Sequence, residues 1–173
     1  MQRSVWAEAY KKREEEADTF ASYLLMPIDD YRRQVEGQEM SADLIRHVTK
    51  RYGVSLTAAC LKWIEFTEKR AAMIIARDGF ALWGRASDAA LKSGIYIPSG
   101  MEIPEGALAS RIADGPGFPS DTPIELPAGI WHFKRGTEPV KELVLFSRSL
   151  DISIIILQFE DEVMMDDFGE EDL

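Results

Sequence analysis

In the stretch Glu14-Glu15-Glu16-Ala17-Asp18-Thr19-Phe20-Ala21-Ser22-Tyr23-Leu24-Leu25-Met26-Pro27 the carboxylates of Glu14 and Asp18 stand four residues apart. On an α-helix that spacing projects both from one face. Carboxylates so placed have a chemical use: one can ligate a zinc ion, and a polar group one turn later can orient a ligating histidine. The plainer fate of a Lys-Arg-Glu-Glu-Glu run is the solvated face of an amphipathic helix. The two histidines complete no metal set, because His47 is followed by Val48-Thr49-Lys50-Arg51 and His132 lies between Trp131 and Phe133, so neither begins an H-x-x-x-H pair. They read as a helix histidine and a histidine beside aromatics. Cys60 is the one cysteine and sits among Ala58, Ala59 and Leu61, which reads as plain burial, rules out an internal disulfide and fits a reducing compartment. Trp63, Phe66, Trp83 and Trp131 could line a ligand pocket, although aromatics at these spacings more often build a core.

The elements that must carry these residues come in two kinds. Ala17, Phe20, Ala21, Leu24 and Leu25 recur at helical spacing, and Pro27, which has no amide hydrogen, closes that helix near Met26. Ser41 caps a helix with Leu44, Ile45 and Val48 on its apolar side, ending at Tyr52-Gly53. Ser55 then caps another that buries Leu56, Ala59, Cys60, Trp63 and Ile64, and the short joint makes a helix-turn-helix-like pair. From Ala71 the period changes. Met73 to Ala76 and Phe80 to Trp83 read as strands around the tight turn Arg77-Asp78-Gly79, and Val140 to Ser147 and Ile152 to Phe159 as a second hairpin across Arg148 to Asp151. Between the hairpins, Gly94 to Gly129 is rich in proline and glycine and predicts irregular loop with one short helix from Glu105 to Ala113. The expected fold is therefore α+β: helices first, then a small antiparallel sheet of four strands. The expected divisions are residues 1–70 (helical), 71–159 (β-rich) and 160–173 (acidic tail).

The pattern E-x-x-A-D-x-F-A-x-x-L-L-M-P, from Glu14 to Pro27, resembles the signature that follows the zinc helix in the ImmA/IrrE family of bacterial metallopeptidases. Arg51-Tyr52-Gly53-Val54-Ser55 is similar to that family's helix-turn-helix-like segment, so the resemblance covers roughly Lys11 to Thr67. The sheet resembles the family's variable C-terminal region, which is GAF-like in some members. Carried over, the resemblance implies Glu14 as the third zinc ligand and Asp18 as the residue that orients a ligating histidine from behind, with a cognate transcriptional repressor as the protein cleaved. The family's two ligating histidines and catalytic glutamate belong to an H-E-x-x-H motif, which these 173 residues do not contain and which belongs upstream of Glu14. One carboxylate neither holds zinc firmly nor makes a water nucleophilic near neutral pH, so the stretch alone is not expected to bind zinc or hydrolyse peptides. The alternative is a non-catalytic regulatory module that binds a protein or a small ligand.

Composition narrows the partners. The formal charge is -10, but Glu160 to Leu173 hold eight acidic residues and no Lys or Arg, so the body is close to neutral. Bulk attraction to a nucleic-acid backbone needs a Lys and Arg patch that releases counterions, and the helix from Ser55 to Thr67 offers only Lys62. Nucleic acid is thus an unfavoured partner, and the tail is expected to be solvated and disordered. No apolar run approaches a membrane span and Met1 opens no signal peptide, so a cytoplasmic location and no membrane partner are expected; oligomeric state is not legible.

Overall fold

A computed structural model describes residues 24–112, 121–133 and 138–160. Glu14, Asp18, Ala113 and the acidic tail from 161 onward lie outside the described residues. Leu24 and Leu25 are helical and Met26 bends, so the helix does stop before Pro27. That proline also begins another helix that the periodicity does not reveal, α1 (Ile28–Val35). Its ring fixes φ, here -55°, at a value suited to a helix start. Asp29 and Asp30 in the first turn and Arg32 and Arg33 in the last oppose the helix dipole.

The helix-turn-helix-like pair forms where expected, as α2 (Ala42–Tyr52) and α3 (Leu56–Phe66). Ser41 Oγ accepts from the Leu44 amide and Ser55 Oγ from the Ala58 amide, each at 3.1 Å. Gly53 ends α2 at φ 64°, a conformation that costs a side chain but not glycine. Asp30 ties α1 to this pair, taking two hydrogen bonds from Arg51 at 3.0 Å and one from the Tyr52 hydroxyl at 2.7 Å.

Five strands follow: β1 (Ala71–Arg77), β2 (Phe80–Ala86), β3 (Ile124–Leu126), β4 (Val140–Ser147) and β5 (Ile152–Phe159). They form one antiparallel sheet in the order β2-β1-β5-β4-β3. The turn at Asp78 (φ 51°) and Gly79 (φ 79°) is left-handed at both central residues, as a two-residue hairpin requires. β3 adds a fifth strand to the four expected; only three residues long between Pro123 and Pro127, it shows too little alternation to stand out. The short helix predicted from Glu105 shrinks to α5 (Leu108–Ile112), and α4 (Asp88–Lys92) is unanticipated, capped by Ser87 Oγ on the Ala90 amide.

Side chains alternate across the sheet, and both faces are covered. Met73, Ile75, Leu143, Ile154 and Ile156 pack beneath Ile45, Val48, Cys60, Trp63 and Ile64 of the helices. On the opposite face Ile74, Val144, Ile155 and Leu157 meet Ile95, Ile97, Leu108 and Trp131. The second face is closed by segments that approach the strands closely. A Cβ on Gly84 would lie 2.6 Å from Ile97 Cγ2 and 2.7 Å from Ile97 Cβ. Gly84→Ala should therefore destabilise the protein by roughly 1–3 kcal/mol, the cost of overpacking a filled core. In urea denaturation the double variant with Ile97→Ala should lose less than the two single losses added together. Simple additivity would show that the Gly84 to Ile97 approach does not limit packing.

Candidate functional site

The residues singled out for chemistry scatter. His47 lies on the exposed side of α2 with Nε2 2.9 Å from Gln34 Oε1, and His132 is exposed beside buried Trp131. Cys60 is fully buried and its thiol is pushed up to about 12 by burial, so it is a packing residue rather than a nucleophile. Among the described residues no group of three His, Cys, Asp or Glu side chains could hold a metal ion. Any site built on Glu14 and Asp18 thus draws on residues outside the described ones.

Of the four aromatics, Trp131 is core and Trp83 is exposed on β2. Trp63 and Phe66 line a groove of about 680 Å³ with Tyr31 and Val35, between α1 and the end of α3. Arg32 stands 5.7 Å over the Phe66 ring at its rim, near enough for a cation–π attraction.

The second helix of the pair is not presented to solvent as a reading head. Ala59, Cys60, Lys62, Trp63 and Ile64 of α3 are all buried. Lys62, its one basic residue, is only 1% exposed, with Nζ 4.7 Å from the Phe66 ring centre and 3.7 Å from Glu65 Oε2. Desolvation lowers the pKa of that ammonium, against the pull of Glu65. A lysine so enclosed cannot neutralise a phosphate.

Sequence reasoning passes over Glu142. It projects from β4 on the same face as Val140 and Val144, and its exposure is 0%. An inward glutamate between two inward valines is the available signal. Its carboxylate accepts from the amides of Leu108 (3.2 Å) and Ala109 (2.9 Å) at the start of α5, and from Trp131 Nε1 (2.9 Å). One buried acid thus pins two loop segments to the sheet. Desolvation raises its pKa, and the three donated hydrogen bonds pull it back.

Residues 4–63 match the family model described as the IrrE N-terminal-like domain of the M78 peptidases. The match takes in Glu14, Asp18, α1, α2 and α3 as far as Trp63, and stops before the sheet. No curated protein matches the chain by sequence.

Removing the Glu142 carboxylate strands two buried donors, Leu108 N–H and Trp131 Nε1–H, and the partly buried Ala109 N–H, each buried one costing about 1–3 kcal/mol. Glu142→Ala should accordingly lose about 3 kcal/mol or more in chemical denaturation. The pH dependence follows from the raised pKa: the folded state holds the proton to higher pH than the unfolded state does, so the contribution is complete below the ordinary value of 4.5 and declines as pH rises through the folded pKa. The stability of wild type relative to Glu142→Gln should then fall as pH is raised from about 4. A relative stability that climbs with pH would mean that the carboxylate is depressed instead.

Proposed function

We propose, from the match of residues 4–63 to the IrrE N-terminal-like domain family, that this chain works in an ImmA/IrrE-type regulatory metallopeptidase system directed at a cognate transcriptional repressor. The observation that carries the reading is the coincidence of the matched segment with the Glu14 to Pro27 signature and with a helix-turn-helix-like pair that forms at the expected residues. In this reading Glu14 is the third ligand of a zinc ion and Asp18 orients a ligating histidine. When bound, zinc supplies a Lewis acid and an activated water. These 173 residues are not competent for hydrolysis by themselves, since they lack H-E-x-x-H. The setting is cytoplasmic, in keeping with one buried, free cysteine. Among the described residues no helix is long and apolar enough to cross a membrane.

A second reading, a non-catalytic binding module, is favoured by the groove beside Trp63 and Phe66. DNA reading through α3 finds no support in a helix whose basic residue is enclosed.

Zinc content separates the readings. The 173-residue chain should purify with far less than one equivalent of zinc, whereas a chain extended upstream through an H-E-x-x-H should carry one equivalent and lose it on Glu14→Ala. One tightly held equivalent in the short chain, or a Glu14→Ala variant that keeps its zinc, would sink the assignment.

A further inference from the structure

We propose that the open end of edge strand β2 is an interaction surface for this chain's own acidic tail, with Met165 to Phe168 adding a short antiparallel strand beside Trp83 to Ala86. Neither Glu14 nor zinc takes part, and the proposal stands apart from both functional readings above.

Strand order leaves β2 at one edge of the sheet. The first half of that edge is closed by residues 99–103. The Ala81 amide donates to Met101 O at 2.8 Å and the Gly100 amide to Ala81 O at 2.7 Å, and Ser99 Oγ donates to Leu82 O at 2.6 Å. Among the described residues no segment continues that row past Leu82. Which groups are left open follows from the ladder. The Ser87 amide donates to Ala71 O, and antiparallel pairs alternate between bonded and unbonded. With Arg85 set opposite Met73 and Trp83 opposite Ile75, those two residues bond to β1, while Gly84 and Ala86 turn their N–H and C=O groups outward.

The side chains at this edge are apolar and exposed. Phe80, Leu82 and Trp83 are each more than a third accessible, and such an edge is a template for another strand. Trp83 and Arg85 share the helical face, because their partners Ile75 and Met73 lie in that core. Arg85 is exposed and has no acidic partner among the described residues.

The occupant follows from where the chain goes next. β2 and β5 both pair antiparallel with β1, so both finish at the same end of the sheet. There Arg70 holds the Glu160 carbonyl at 2.6 Å, and Asp161 onward leads away from it. From β5 to a position outside β2 is three strand spacings, roughly 14 Å. Met165, five residues beyond Glu160, can be reached over roughly 16–18 Å of extended chain. A chain that turns there runs back antiparallel to β2. Met165 then faces Ala86, Asp166 faces Arg85, Asp167 faces Gly84 and Phe168 faces Trp83. This register gives the outward groups of Gly84 and Ala86 their hydrogen bonds. It also places the side chains of the two unbonded pairs close together on the helical face, an acid beside Arg85 and an aromatic ring beside Trp83. Gly169 follows, where the row already held by Ser99 and Gly100 requires the strand to stop. The tail is thus pinned at its one apolar stretch, and its remaining acids stay in water.

Amide hydrogen exchange followed by NMR tests this in the full 173-residue chain and in a chain ending at Glu160, which keeps every described residue. The Gly84 and Ala86 amides should exchange at least about tenfold more slowly in the full chain. Trp83 and Arg85, bonded to β1, should be equally protected in both and report that the sheet is intact. Phe168→Asp in the full chain should release Gly84 and Ala86 in the same way, which serves if the shortened chain does not fold. Equal exchange of Gly84 and Ala86 in the full chain and in Phe168→Asp would overturn the proposal. So would protection that grows with protein concentration, which would assign the edge to a second copy of the chain.

Discussion

Ala71 to Ala76 of β1 pair with Gln158 to Ser153 of β5, and both strands are interior to the sheet. Bringing together segments so distant in the chain costs loop-closure entropy before any contact repays it. The repayment is that β5 is buried on both faces: Ile154 and Ile156 beneath the helices, Ile155 and Leu157 against the loops of the other side. Apolar area removed from water contributes about 25 cal/mol per Å², and a strand that serves two cores gains it twice. The helices of the matched segment therefore have no finished floor until the last described strand is in place. The helices and the sheet thus share one packed core across the point near residue 70 where the sequence changes character.

A sheet closed on both faces has little tolerance for polar groups, and each one inside it reveals a separate arrangement. Glu142 is tolerated because three donors converge on it, and the arrangement is structural: the acid organises the start of α5 and the Trp131 segment. Lys62 is enclosed beside Phe66 and Glu65. Gln158 Nε2 is buried with no hydrogen-bond partner among the described residues. The difference among the three is the number of partners their neighbourhoods supply.

Much of this is legible in the sequence where a local physical device announces itself. Ser41, Gly53 and Ser55 mark helix ends because their backbone or side-chain chemistry is required there, and both hairpin turns stand out, one through Asp78-Gly79 and the other through the break from Arg148 to Asp151. α1 escapes because Pro27 ends one helix and begins another, and a terminator is easily read in one direction only. β3 escapes because three residues cannot show a period. The burial of Lys62 and the inward aim of Glu142 depend on which neighbours the fold supplies, and spacing within one element does not carry that. Glu14 and Asp18, the most telling residues of the sequence, belong to the stretch outside the described residues, so the proposed metal site rests on the motif and not on geometry.

A cavity of about 240 Å³ beside Gln158 owes its position to the same constraint as the fold. The helices cover Leu143, Leu145, Ile154 and Ile156 of the sheet's helical face but stop short of Glu125, Lys141 and Gln158 at its end. Glu39 comes from the connection between α1 and α2, Lys69 from the link between α3 and β1, and the remainder from the sheet and its ends.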